Sequence, residues 1–230
     1  MVSKKKGHGG ENLVAVEQAL SRTERAIEDN QKPLTIIVIA IIVLIGGFLG
    51  VKKFILGPKE KEAQAQIFMA ESYFEKDSFN LALNGDGNYL GVLDIIDNYK
   101  ITKTAKLAHY YAGISYLRLG QFEEAIDNLQ KFKSKDNMII PIASGAIGDA
   151  YAELEDFDKA IEYYLKAANK ADNIFLTPIY LQKAGELLEQ QNKKSKALSL
   201  YQRIKVDYPD SNESRQIDKY IARAKLKNTE

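Results

Sequence analysis

There is no cysteine in these 230 residues. That excludes a disulfide framework, a thiolate metal site, a cysteine nucleophile and a lipidated N-terminal cysteine. An oxidising compartment stays open, because a chain that crosses a membrane can simply dispense with thiols. Histidine is scarce: only His8 and His109 occur, so a multi-histidine metal centre would need both. An excess of one charge is missing as well. Lys plus Arg number 32 against 31 Asp plus Glu, a formal charge of +1, far from the strongly basic balance of a nucleic-acid binder. The sequence also lacks a Gly-x-x-x-x-Gly-Lys loop, a His-Glu-x-x-His pair and a Gly-x-Ser-x-Gly elbow,. No cofactor is implied, no metal is implied, and the chain reads as a non-enzyme. With 45% hydrophobic and 27% charged residues it has an ordinary globular composition,.

Against that background one stretch is extreme. Leu34 to Val51 (LTIIVIAIIVLIGGFLGV) runs for 18 residues without a charge. Adding Phe54, Ile55 and Leu56, with Lys52 and Lys53 reaching back to the head groups, gives a 23-residue segment, 34–56,. At ~1.5 Å per residue this spans a ~30 Å hydrocarbon layer with some tilt. A transmembrane helix over 33–57 is therefore expected, in contact with the lipid bilayer. Gly46 and Gly50 have the Gly-x-x-x-Gly spacing that lets a second helix approach closely,. No small-residue cleavage site follows the run, which reads as an uncleaved anchor. Its orientation is left open by charge: Arg22, Arg25 and Lys32 precede it and Lys52, Lys53, Lys59 and Lys61 follow it,.

Residues 1–10 (MVSKKKGHGG) are basic and glycine-rich, the composition of a disordered tail,. Over 11–32 the pattern becomes helical: Leu13, Val16, Leu20 and Ile27 share a face, while Glu17, Glu24, Arg25 and Glu28 occupy others,. Such an amphipathic helix either contacts a protein partner or rests on the bilayer. Its polar face is mixed in sign rather than Lys/Arg-rich, which weakens the lipid version. Leu13, Val16, Leu20, Arg22, Arg25 and Ile27 are the candidate contact residues. Gly57-Pro58 should then break the membrane helix.

Residues 58–230 repeat. AESYFEKDSFNLAL from Ala70, GISYLRLGQFEEAI from Gly113, GDAYAELEDFDKAI from Gly148 and GELLEQQNKKSKAL from Gly185 align without gaps. The alanine that comes twelve positions later is Ala82, Ala125, Ala160 and Ala197, and Phe79, Phe122 and Phe157 precede it by three in the first three copies. The starts are 43, 35 and 37 residues apart, near the ~34-residue period of a tetratricopeptide repeat. A small residue on helix A and an alanine on helix B permit close crossing, and stacked pairs bury what one pair cannot. Pro209 closes the last unit, and Ile217, Ile221 and Ala224 form the stripe of a capping helix,. The fold expected is all-α: one N-terminal transmembrane helix followed by a right-handed solenoid of about four helix pairs.

Other polar groupings read as structural. Asn84, Asp86 and Asn88 alternate like the opening of a calcium loop, but Tyr89 stands where glycine is required and no glutamate closes it,. His109 reads as a packing residue, and Glu60/Glu62 and Glu123-Glu124 as solvated faces. The chain's 13 tyrosines fall mostly on packing positions. Tetratricopeptide solenoids bind protein partners through the concave face lined by the A helices. That face should include Tyr110, Ile114, Leu117 and Arg118, then Asp149 and Glu153, then Gln182, Glu186 and Glu189. It carries no Lys/Asn clamp for a peptide's terminal carboxylate.

The layout, with VEQALSRTERAIEDNQKPL running directly into the apolar span and repeats after it, resembles the YfgM-type accessory subunit family of the Sec translocon. The resemblance extends from Asn12 to Leu226. It implies a single-pass protein of the bacterial inner membrane with a cytoplasmic N-terminus and a periplasmic repeat domain. The partners it implies are Sec translocon subunits, a membrane-anchored periplasmic chaperone and exported clients; the balanced charge already excludes nucleic acid,. The competing reading is a membrane-anchored adaptor whose repeats face the cytoplasm and which has no part in export.

Overall fold

The computed structural model of the chain describes residues 30–226. Every regular element among them is helical. The basic tail and the amphipathic segment with Leu13, Val16, Leu20, Arg22, Arg25 and Ile27 lie outside the described residues. Two compact units divide at Gly57/Pro58.

In the first unit, α1 spans Gln31–Val51. Its large apolar side chains face outward, with Leu44 72% and Phe48 69% exposed. It opens the one helix among the described residues that is long and apolar enough to be a candidate membrane span. A Cβ placed at Gly46, Gly47 or Gly50 would meet nothing within 4 Å. The expected break at Gly57-Pro58 is absent, since Gly57 opens the next helix and Pro58 lies within it. The reason is local. Lys52–Leu56 forms a π-helical turn, and the Gly57 N–H donates to the Lys52 carbonyl five residues back. This shift of register lets the helical bonding pass Pro58 without its missing N–H.

In the second unit, α2 (Gly57–Glu75) pairs with α3 (Phe79–Asn84), and α4 (Val92–Asn98) follows. Then come the pairs α5 (Lys103–Arg118) with α6 (Phe122–Lys131), α7 (Ile139–Glu153) with α8 (Phe157–Ala171), and α9 (Thr177–Gln190) with α10 (Lys194–Asp207). Helix α11 (Ile217–Lys225) closes the series, burying Ile217, Ile221 and Ala224 against the last pair. The extra residues of the first repeat cut its second helix short. Leu83 is followed by a tight turn through Gly85 and Gly91, after which α4 supplies Val92 and Ile95 to the core. Asp86, at the centre of that turn, accepts the N–H groups of Asn88 (2.9 Å) and Tyr89 (2.8 Å) and the hydroxyl of Tyr73 (2.8 Å). Its carboxylate is thus engaged by two N–H groups of the loop and by Tyr73 of α2, and these donors hold its pKa below the ordinary value,.

The small residues of the motif sit at helix crossings. A Cβ at Gly113 would come within 2.5 Å of Leu129, one at Gly148 within 2.6 Å of Tyr164, and one at Gly185 within 2.4 Å of Tyr201. Ala82, Ala125, Ala160 and Ala197 are fully buried. Each pair is joined by the same turn. The carbonyls of Tyr73, Tyr116, Tyr151 and Leu188 accept from the N–H five residues on, at Ser78, Gln121, Asp156 and Lys193. The residue before each of these donors is left-handed: Asp77, Gly120, Glu155 and Asn192,.

One surface expectation is corrected. Glu60 is no solvated carboxylate, because it caps α5 from a distance in sequence. It accepts the N–H groups of Lys103 (2.6 Å) and Thr104 (3.1 Å) and the Thr104 hydroxyl (2.8 Å). Three donors at a helix N-terminus satisfy groups that have no partner within the helix. Burial raises the Glu60 pKa, and these donors overcome it and leave the carboxyl below its ordinary value.

Candidate functional site

Helices α5, α7 and α9 each present side chains from successive turns to a common open groove of about 1060 Å³. On α5 these are Tyr110, Ile114, Leu117 and Arg118; on α7, Ile142, Ala146, Asp149 and Glu153; on α9, Ile179, Lys183 and Glu186. The periodicity of three and four residues is what places them together. Seven of the nine residues expected on a concave face therefore line this groove. Gln182 and Glu189 do not. Gln182 donates to Glu186 (2.9 Å) and to the Tyr220 hydroxyl (3.1 Å). Glu189 accepts from the Tyr201 hydroxyl (2.8 Å) and from Arg223 Nε (3.1 Å), joining α9 to α10 and α11. Burial raises the Glu189 pKa, but Arg223 and Tyr201 outweigh it and hold the carboxyl below its usual value.

The groove is lined by a mixture. The α5 wall carries Tyr110, Ile114 and Leu117 with Arg118, and Phe74 and Phe122 add two aromatic rings. The α7 and α9 walls set Asp149, Glu153, Lys183 and Glu186 among Ile142, Ala146, Ile179 and Leu187. There Asp149 accepts from the Tyr164 hydroxyl at 2.7 Å and from Lys183 Nζ at 2.6 Å. Burial, then the Asp149 charge, pushes the Tyr164 hydroxyl pKa far up, and the same two causes push Tyr180 up to about 12. Both phenols stay neutral and serve as packing and donor groups. Tyr180 lies against the backbone of Gly145 and stacks on Tyr164, ring centroids 6.4 Å apart. Asp149 is thereby committed to the structure, whereas Glu153 and Arg118 stand exposed at the rim.

Lys183, Tyr180, Phe74 and Ile142 are groove residues that sequence reasoning missed. Lys183 lies on the repeat after Asp149, and no spacing within one helix signals such a pair. His109 faces away from the groove set and pairs through Nδ1 with Asn128 Oδ1 at 3.0 Å. Among the described residues no group of three or more His, Asp or Glu could hold a metal ion.

The tetratricopeptide repeat family matches residues 110–174 and, separately, 180–211. Tetratricopeptide repeats are present in this chain. The matches cover α5 through α8 and α9 into α10, so the groove is built almost wholly from matched repeats, while the divergent first pair lies outside them. No curated protein matches the sequence. Repeats of this kind are protein-interaction modules.

Proposed function

We propose that this protein is a membrane-anchored tetratricopeptide scaffold, accessory to the Sec translocon, that holds a periplasmic chaperone or emerging client proteins. The observation that carries the reading is the groove of α5, α7 and α9, lined by apolar, aromatic and charged side chains, on a chain that also bears a candidate membrane span. The resemblance in VEQALSRTERAIEDNQKPL supplies the Sec assignment. In this reading residues 34–56 sit in the bacterial inner membrane, the N-terminus is cytoplasmic and the repeats are periplasmic. Leu13, Val16, Leu20, Arg22, Arg25 and Ile27 contact the translocon. Tyr110, Ile114, Leu117, Arg118, Glu153 and Glu186 grip the partner, with Asp149, Gln182 and Glu189 holding the wall they stand on. In this reading the groove's work is to hold a partner, as suits repeats of a protein-interaction type.

Copurification from detergent-solubilised membranes tests this. Deleting residues 11–30 should remove translocon subunits from the purified complex while the protein remains in the membrane. Ile114→Ser combined with Glu153→Lys should lose chaperone or client and keep the translocon. A single cysteine at Ser134, silent against a thiol-free background, should react with an impermeant maleimide added outside the inner membrane. Labelling only from the cytoplasmic side would overturn the topology and leave the cytoplasmic adaptor.

A further inference from the structure

A second surface shares no lining residue with the groove. Where α6 passes into α7, the chain leaves helical geometry at Phe132 and re-enters it at Ile139. Two cavities open there. One, of about 460 Å³, has a floor of Leu129, Ile140, Ala143 and Ile147. The other, of about 360 Å³, lies over Ile96 and Ala105. They meet at Lys133, which lines both.

The charged residues that line these cavities are all lysines. Lys100, Lys106, Lys131 and Lys133 border the smaller cavity, and Lys133, Lys166 and Lys170 the larger, with no carboxylate or arginine lining either. Lys100 and Lys131 have exposed partners in Asp97 (3.5 Å) and Asp127 (2.6 Å). Lys166 lies over the Tyr163 ring at 4.9 Å. Lys106, Lys133 and Lys170 have no ion-pair partner among the described residues. Asp136, the acid within the connection, is occupied in capping Met138 (2.7 Å) and Ile139 (3.1 Å). Lys106, Lys133, Lys166 and Lys170 are thus left without a carboxylate, and in a chain of almost zero net charge they make a local excess of positive charge around cavities floored in part by apolar side chains,.

We propose that this face is a second docking surface, for an acidic polypeptide segment that seats apolar side chains in the two cavities and sets carboxylates against the lysines around Lys133. Two features favour that occupant over a phosphate-bearing headgroup. The cavities are apolar-floored and sized for side chains, and a headgroup would leave those floors unfilled. The cations are all lysine, whereas the forked bidentate grip that suits phosphate belongs to arginine. Charge around an apolar anchor gives register and rate of encounter, and the buried side chain gives affinity.

The test uses the full chain in a non-ionic detergent and a fluorescein-labelled peptide alternating glutamate with leucine and phenylalanine. A counterpart with lysine for glutamate is the control. Saturable binding of the acidic peptide alone, weakened by added salt, is the expected result. Lys133→Glu with Lys166→Glu should weaken it at least tenfold, the corresponding glutamine pair by less, and Ile114→Ser with Glu153→Lys not at all. Because Lys133 and Lys166 are exposed, both variant pairs should keep the wild-type melting temperature. Absence of binding, equal binding of the two peptides, or affinity indifferent to the lysine variants would overturn the proposal. So would displacement by glycerol phosphate at an ionic strength where chloride has no effect, which would make the face a phosphate headgroup site.

Discussion

Glycine and a bulky partner sixteen residues later form a lock in three of the four helix pairs, the first pair having Ala70 instead. Gly185→Ala would gain about 1 kcal/mol of helix propensity but push a methyl group against the Tyr201 ring at 2.4 Å. Overpacking costs about 1–3 kcal/mol and wins. A lower urea midpoint is expected, and so is one for Ala160→Leu, whose site is fully buried. The left-handed turn residues point the other way. Glu155 (φ 59°) occupies the position that Gly120 fills in the preceding repeat. A left-handed residue with a Cβ costs about 1–2 kcal/mol, and glycine returns roughly half of that in unfolded-chain entropy. Glu155→Gly should therefore raise stability by about 0.5–1 kcal/mol in the same denaturation experiment.

Among the elements, α5 is positioned by a residue that its own sequence does not contain. Glu60 stands on α2, 43 residues before Lys103. Glu60→Ala should cost about 0.5–2 kcal/mol, and amide exchange should quicken first at Lys103 and Thr104. Helix existence, pairing and crossing were legible because every copy repeats the small and alanine positions and the first three also repeat the aromatic ones. Those positions are dictated by local geometry, and local geometry leaves a period. Glu60, Lys183 and the Asp86 turn were not legible for the opposite reason. Each depends on partners brought close by folding or on one loop's particular course, and neither produces a spacing. Seven groove residues followed from periodicity. Gln182 and Glu189 differ because α11, the capping helix, brings Tyr220 and Arg223 against the end of the last pair. The break wrongly expected at Gly57-Pro58 came from proline's missing N–H, which the π-helical turn accommodates by moving the bonding register.

For the molecule as a whole, ionisation sets a working window. Glu60 and Glu189 have pKa values below the usual 4.5. Their stabilisation is complete above about pH 4.5 and is lost as pH falls through the lowered folded values. Tyr111 and Tyr180 are raised from 10.0 to about 12. Their contribution is complete below pH 10 and disappears as pH climbs through about 12. Melting temperature against pH should thus show a plateau between roughly pH 5 and 10 with a fall on either side. The clamp on Asp149 has a mechanical consequence inside that window. The joint between the α7–α8 and α9–α10 pairs is fastened by Lys183 on Asp149, by Tyr180 on Gly145, and by Lys193 and Gln191 on Asp158. Between the α5–α6 and α7–α8 pairs, packing is mainly apolar, reinforced by the Gln130–Tyr163 hydrogen bond. Of these two joints, the one at residues 132–138 has fewer polar fastenings, so under tension along the array it is the one expected to open first. A disulfide engineered across it should then raise the unfolding force in single-molecule pulling, and an unchanged force would refute this. Such an opening would part Tyr110, Ile114 and Leu117 from Glu153 and Glu186, and a pulled polypeptide would loosen the hand that holds it.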